Sequence, residues 1–363
     1  MEEDLAVRRI VVIGTGLIGT SIALAMRGRG VEVLLSDRDG ACLDLAVQLG
    51  AGTPLPDDGP DEPADLAVLA VPPAAVAPVL LEAQKHGLAR VYTDVASVKA
   101  LPLREAAVLG CDLTTFVAGH PLAGRERSGP AAARADLFLG RTWALCPAGD
   151  TAPEAVAVVE ALATACGART LTVDAAEHDR AVALVSHSPH VVSAAMAARL
   201  RGADEVALGL AGQGVRDVTR IAAGDPRLWV GILTANAGPV ADVLDEVATD
   251  LAVAAALLRD GSDGAMDHVA GLLTQGNEGT SRIPGKHGGR QSRYAVVPVV
   301  LPDRPGELAL LFQAAGVAGV NIEDVSIEHS PGLAVGVVEL SVEPAAAGRL
   351  ADELRARGWS VPG

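Results

Sequence analysis

Aromatic side chains are scarce in this chain, with three Trp, two Tyr and three Phe among 363 residues. Its cores must therefore be filled by Ala, Val and Leu, which suit helix packing and buried parallel strands. Cysteine is scarcer still: Cys42, Cys111, Cys146 and Cys166 lie far apart and form no CxxC pair. That excludes a disulfide framework and points to reduced thiols in a cytoplasmic protein. The eight histidines do not join them at zinc-ligand spacing, so no metal is expected. Positive charge is also in deficit, with 29 Lys and Arg against 45 Asp and Glu for a net charge of -16. Nucleic acid is a poor partner for such a chain, although a few arginines in a cleft still suit a small anion. The longest uncharged apolar run, residues 66–81, contains Pro72, Pro73 and Pro78 and falls short of the roughly 20 residues a membrane helix needs. The opening MEEDLAVRR lacks the apolar core of a signal peptide. No membrane association is expected.

At about 150 residues per domain, the length implies two or three domains. Residues 9–14 form a β-branched run ending at glycine, a helical pattern follows over 17–27, and a second apolar run covers 31–35. Further strand candidates at 66–71, 91–94, 116–118, 142–145 and 170–174 are separated by helix-length segments, including one at 153–166. This alternation predicts an α/β Rossmann-type, doubly wound, mostly parallel sheet over residues 1–174. From 175 to 274 the pattern becomes Ala/Leu/Val-rich with helical period, its longest members near 178–200 and 226–259. An all-helical domain with more apolar surface than a solitary bundle needs is expected there, so a homodimer formed through it is the natural reading. A glycine-rich, basic linker over 275–293 then leads to a βαββα order over 294–363, with a short last strand at 359–361. That is a small α+β, ferredoxin-like plan.

Gly14, Gly16 and Gly19 make G-x-G-x-x-G directly after a strand and at the start of a helix. The first glycine permits the tight turn, the second lets backbone approach a pyrophosphate, and the third allows close helix-to-strand packing. Leu17 and Ile18 open the helix whose free N–H groups face the phosphates. Asp37 follows 23 residues after Gly14, at the end of the second strand, where a carboxylate accepts hydrogen bonds from a ribose diol. The carboxylate favours NAD over NADP, while Arg38 beside it keeps NADP open.

Beyond these features, GTGLIGTS at 14–21, DVASVK at 94–99, GHPLAG at 119–124, EHD at 177–179, VSHSPH at 185–190 and DVTRIAAGDPRLW at 217–229 occur in an order that resembles the prephenate dehydrogenase (TyrA) family. The resemblance covers nearly all of the first two domains. It implies NAD(P)-dependent oxidative decarboxylation of prephenate, or of its amino counterpart arogenate, in tyrosine biosynthesis. Within it His120 matches the catalytic histidine, whose imidazole suits removal of a hydroxyl proton near neutral pH. Ser97 matches the serine that hydrogen-bonds to that histidine and to the substrate hydroxyl. Read locally, His120 is a structural histidine before proline and Ser97 an N-cap for the next helix.

The same resemblance assigns Arg220 to a substrate carboxylate, which a planar guanidinium can engage bidentately. An ion pair with Asp217, three residues earlier on one helix face, is the plainer reading. His190 matches a residue of the substrate side-chain pocket, and His187 a helix or domain contact. Glu126 and Asp217 match acids that close the pocket or link subunits. Arg125 and Arg127 flank Glu126 and could attract a dianion.

Residues 294–363 resemble the ACT family of amino-acid-sensing domains through DRPGEL at 303–308 and GVNIEDVSI at 319–327. That implies Asp303, Gly306 and Asn321 as effector contacts and tyrosine as effector; a module used only for oligomer contacts is the alternative. Two other functions compete. Dehydrogenases acting on β-hydroxy acids want a lysine in the helical domain, and residues 178–259 contain none. An NAD-binding amino-acid sensor without turnover would have no use for His120, Ser97 and Arg220 together.

Overall fold

A computed structural model describes residues 7–124, 128–284, 294–329 and 334–362. An eight-stranded sheet dominates the first part of the chain. Its strands are β1 (Arg9–Ile13), β2 (Glu32–Ser36), β3 (Thr53–Pro54), β4 (Ala64–Leu69), β5 (Ala89–Asp94), β6 (Phe116–Pro121), β7 (Thr142–Pro147) and β8 (Arg169–Thr172). The order is β3-β2-β1-β4-β5-β6-β7-β8. All neighbours pair in parallel except β6 and β7, where His120 lies opposite Ala144. The two-residue β3 is too short to leave a periodic signal and was not expected from the sequence.

Alternation along the strands separates two cores. Ile10, Val12, Val33, Leu35, Leu66 and Val68 face α1 (Leu17–Arg27) and a later helix at Pro153–Ala165. Between them in chain order come α2 (Gly40–Gln48), α3 (Pro73–Lys85) and α4 (Ala100–Leu109), so the Pro153–Ala165 helix is α5. Val11, Leu34, Ala67 and Leu69 face the opposite way, onto Val76, Ala77 and Leu80 of α3 and Ala106 of α4. Small and branched aliphatics fill both layers, as the shortage of aromatics requires. The order in which strands are added reverses at β1, since β2 lies on one flank and β4 on the other, all three parallel. This switch point opens a crevice at the carboxyl ends of the strands, where open α/β sheets bind ligands.

The helical segment begins with α6 (Ala175–Val182) and continues through a π turn at Ala183–His187 into α7 (Ser188–Leu200). Pro189 lacks an N–H and its ring would crowd a regular helix, and the wider turn before it gives room, with Ser188 N bonded to Ala183 O. The continuous helix 175–200 has the length and hydropathy of a membrane span. Its buried side chains include the polar His178, Asp179, His187 and His190, whereas Leu184, Val185 and Met196 are exposed. After α8 (Glu205–Gly209), α9 (Gln213–Thr219) and α10 (Pro226–Ala235), the helix expected over 226–259 is interrupted at Asn236. Asn236 turns its buried side chain toward α6, and α11 (Ala237–Asp260) restarts beyond it.

Helix α12 (Asp263–Ser281) enters the stretch read as linker, so residues 275–281 are helical. Thr274, Thr280 and Ser281 return their hydroxyls to carbonyls of the preceding turn. The remainder of the predicted linker, from 285 to 293, lies outside the described residues.

Three further strands, β9 (Ala295–Pro302), β10 (Asp324–His329) and β11 (Val335–Val342), form an antiparallel sheet in the order β10-β11-β9. Helices α13 (Glu307–Val317) and α14 (Pro344–Ala356) pack Leu311, Leu350 and Leu354 onto Val299, Val338 and Leu340. Ser360 adds one antiparallel bridge to Val300, where the short last strand was expected. The chain divides into two compact units, 1–248 and 249–363. Within the first unit, α6 is hydrogen-bonded to the start of α4 and to β6.

Gly14 has φ +101°, and a Cβ there would lie 2.2 Å from the Ala70 carbonyl oxygen. At Gly19 a Cβ would lie 2.0 Å from the Gly14 carbonyl oxygen, while at Gly16 it would meet nothing within 4 Å. Gly19→Ala is therefore expected to cost about 1–3 kcal/mol by overpacking. Gly16→Ala should stay within about 0.5 kcal/mol of the parent, as exposed substitutions do. Urea unfolding of the two variants measures the difference.

Candidate active site

The glycine loop joins β1 to α1, with Gly16 as the N-cap and no side chain bonded to the first-turn N–H groups. Open space at Gly16 and those free donors form a cradle that suits a pyrophosphate. Asp37 is half-buried at the end of β2. Its carboxylate accepts from Thr15 N at 2.5 Å, Thr15 Oγ1 at 2.9 Å and Asp39 N at 2.9 Å. Of its roughly four acceptor positions, three are thereby used to clasp the glycine loop, leaving one toward a ribose hydroxyl.

Further along the same edge, β5 ends at Asp94, whose side chain is wholly buried. One oxygen accepts from Gly119 N at 3.1 Å, and the other from Ala96 N at 3.0 Å and the Lys99 ammonium. Lys99, equally buried, also donates to the Gly119 carbonyl at 2.5 Å. The ion pair thus holds both backbone groups of the residue preceding His120. Burial pushes the Asp94 carboxyl up from its ordinary range, and Lys99 pulls it back.

His120 stands on β6, and its Nδ1 lies 2.9 Å from Nε2 of His178 on α6. The two rings meet edge to face, with centroids 5.1 Å apart. His178 Nδ1 in turn lies 2.8 Å from Asp179 Oδ1. Asp179 also accepts from Lys99 N at 2.8 Å and Ala100 N at 2.9 Å, so it caps α4. A carboxylate can only accept, which assigns the proton to His178 Nδ1 and makes His178 Nε2 an acceptor for His120 Nδ1–H. His120 Nε2 is left with a lone pair. Burial first, and then the positive charge of Lys99, holds this imidazole well below its ordinary pKa and hence neutral at pH 7.

Behind this line, Asn236 Nδ2 donates to the Asp179 carbonyl at 2.8 Å and bonds His187 Nδ1 at 3.1 Å. Burial pushes His187 down to about 4, and it makes an internal contact between helices. His190 stacks on Trp229 of α10, with ring centroids 3.6 Å apart and planes 12° from parallel. Burial lowers its pKa as well.

Several assigned residues sit elsewhere than local rules suggest. Ser97 is half-buried on the β5–α4 loop, but it does not cap α4: the N-cap is Lys99 and the capping carboxylate comes from Asp179. Among the described residues Ser97 makes no side-chain hydrogen bond, and His120 Nδ1 turns to His178 instead. Arg220 opens a 3-10 turn, Arg220–Ala223, that packs on α7, the helix carrying His190. Asp217 accepts from Gln213 at 2.8 Å. Arg125, Glu126 and Arg127 lie outside the described residues. Asp303 and Asn321 are exposed on loops before and after α13, and Gly306 caps that helix at φ +93°.

Sequence reasoning passed over Asp94, Lys99, His178, Asp179, Asn236 and Trp229. Five of them lay inside motifs quoted for the resemblance, DVASVK, EHD and DVTRIAAGDPRLW. Their signal was an Asp, a Lys and a His–Asp pair set in apolar surroundings, where charge is costly unless paired.

Two family descriptions match the chain: "Prephenate dehydrogenase, nucleotide-binding domain" over residues 22–172 and "Prephenate dehydrogenase, dimerization domain" over 174–275. A protein of Streptomyces niveus named probable prephenate dehydrogenase NovF is 44% identical over 361 residues, covering 97% of this chain and 99% of that one. Cyclohexadienyl dehydrogenase of Zymomonas mobilis is 34% identical, covering 67% and 86%. Among solved structures, Synechocystis arogenate dehydrogenase superposes with a TM-score of 0.63 at 29% identity, over 75% of this chain and 98% of that one.

The buried ion pair generates a stability prediction. Lys99→Met leaves Asp94 buried without its cation and is expected to cost about 3–5 kcal/mol. Adding Asp94→Asn should recover part of that loss, and chemical denaturation of the single and double variants reads both effects.

Proposed function

Because the chain belongs to the prephenate dehydrogenase family, an NAD-dependent oxidoreductase activity, we propose that His120 is the base of an oxidative decarboxylation of prephenate to 4-hydroxyphenylpyruvate and carbon dioxide. The observation that carries this reading is the hydrogen-bond chain from His120 Nδ1 through His178 to Asp179, which commits Nδ1 and leaves Nε2 with its lone pair. Bound NAD supplies the hydride acceptor. The glycine loop would bind its pyrophosphate, and Asp37 would receive one ribose hydroxyl beside Thr15. His120 Nε2 takes the proton of the ring hydroxyl as the ring carboxylate departs and the ring becomes aromatic. Ser97, on the neighbouring loop, holds that hydroxyl toward the imidazole.

Arg220 binds a substrate carboxylate, and His190 on its Trp229 platform lines the side-chain pocket. Asp217 helps to close it or links subunits. Such ground-state contacts set KM more than kcat when they persist unchanged in the transition state. Arginine at the carboxylate and a neutral imidazole at the hydroxyl suit prephenate and arogenate alike, and the full-length relative from S. niveus favours prephenate.

Exposed Val206, Leu208, Leu210 and Val230 in the first unit, and Leu251, Val253, Leu258 and Leu273 in the second, are more apolar surface than a monomer keeps. Together with the family description of residues 174–275, they support a homodimer through the helical segment. The C-terminal βαββα unit acts as an ACT-type sensor that binds tyrosine through Asp303, Gly306 and Asn321. Its strand order β10-β11-β9, with Ser360 bridging β9 on the far side, supports that assignment.

Initial rates of NADH or NADPH formation with each pairing of NAD or NADP with prephenate or arogenate test the activity. NAD with prephenate is expected to turn over fastest; no turnover in any pairing by folded protein would contradict the proposal. His120→Asn should lower kcat by about 100-fold or more, the scale of general-base catalysis, with KM little changed. Arg220→Ala should chiefly raise KM. Tyrosine is expected to inhibit the parent, and Asp303→Ala with Asn321→Ala to relieve that inhibition without altering kcat.

A further inference from the structure

We propose that His178 and Asp179 form, with His120, a two-imidazole relay that carries the substrate's proton charge away from the reacting ring. This inference rests on His120 being the base. Three positions are already in line: His120 Nδ1 lies 2.9 Å from His178 Nε2, and His178 Nδ1 lies 2.8 Å from Asp179 Oδ1. Both separations are ordinary hydrogen-bond lengths. His178 and Asp179 are buried, so water does not compete for these bonds.

The protons balance as follows. His120 Nε2 accepts the hydroxyl proton, and the bond from His120 Nδ1 to its own proton breaks as that proton joins His178 Nε2. His120 ends neutral in its other tautomer, and His178 ends as an imidazolium against the Asp179 carboxylate. On product release His120 Nε2 gives its proton to solvent, and the proton on His178 Nε2 returns to His120 Nδ1. No additional reactant is needed.

Charge decides which ring carries the positive state. Facing His120 are Lys99 and Asp94 from β5 and its following loop, His178 and Asp179 from α6, and His187 from the π turn. The Lys99 ammonium penalises a cation on His120, although Asp94 offsets part of its charge. His178 instead has a carboxylate bonded to its outer nitrogen, which stabilises the cation there. Asp179 is itself fixed by the N–H groups of Lys99 and Ala100, so it stays in place as charge develops. His178 and Asp179 thus position His120 and hold its proton without touching substrate.

His178→Gln separates holding a proton from holding a position. The amide oxygen can still accept from His120 Nδ1–H but cannot become a cation. The relay predicts kcat at least tenfold below the parent with KM within about twofold, on the scale of proton-transfer catalysis. Full kcat would overturn it. Asp179→Asn removes the negative charge behind the relay, so the pH below which His120 stops accepting the proton should fall. That shift is read from the histidine Cε1–H resonances and from an acid limb of kcat/KM moved to lower pH. A lower rate with an unmoved limb and unmoved resonances would mean a purely structural role and would sink the proposal.

Thermal melting checks that each variant folds. If neither does, the parent decides: a bowed proton inventory in mixed light and heavy water supports two protons in flight, and a linear one contradicts it. His120→Asn is the control that distinguishes the two readings. Should it abolish turnover while His178→Gln keeps full kcat, the base stands and the relay falls; should it leave kcat unchanged, the base assignment itself is wrong.

Discussion

One buried carboxylate, that of Asp179, ties the catalytic edge of the sheet to the helix that follows it. It receives the N–H groups of Lys99 and Ala100, which begin α4, and the Nδ1–H of its neighbour His178. Helix α4 therefore starts where α6 permits, and the imidazole of His178 has one orientation in which its proton is satisfied. From there the order passes to His120 through a single bond. A charge removed from water is tolerated because three donors converge on it.

The cofactor end and the chemical end of the crevice are built on different physics. At the glycine loop the constraint is steric: Gly14 and Gly19 sit where any Cβ would strike backbone, so the turn can be only so wide. At the imidazoles the constraint is electrostatic. Lys99 and Asp94 pair with one another and fix Gly119, while burial first, and the Lys99 charge after it, keep His120 neutral. A base needs that neutrality, since a protonated imidazole has no lone pair with which to take the hydroxyl proton.

Much of the scaffold could be read from local pattern. Strand and helix alternate with periods visible in the sequence, the glycine spacing marks the phosphate turn, and βαββα describes the last seventy residues. The imidazole chain was less legible, because its bonds join residues far apart: Lys99 to Asp179 spans 80 positions and His120 to His178 spans 58. No local period records such a pairing. Ser97 shows the cost of reading locally, since a serine before a helix is a sound N-cap by propensity, yet the cap comes from a carboxylate on another helix. The helix break at Asn236 has the same origin, its side chain being drawn to the Asp179 carbonyl and His187.

The central claim is that His120 is neutral at pH 7, with its proton on Nδ1 and a lone pair on Nε2. Nitrogen-15 NMR of histidine-labelled protein tests this most directly, because the two ring nitrogens of a neutral imidazole resonate far apart. A pyrrole-type signal from Nδ1 coupled to a pyridine-type signal from Nε2 is the expected result. The opposite tautomer, or two pyrrole-type signals from an imidazolium at pH 7, would contradict the account.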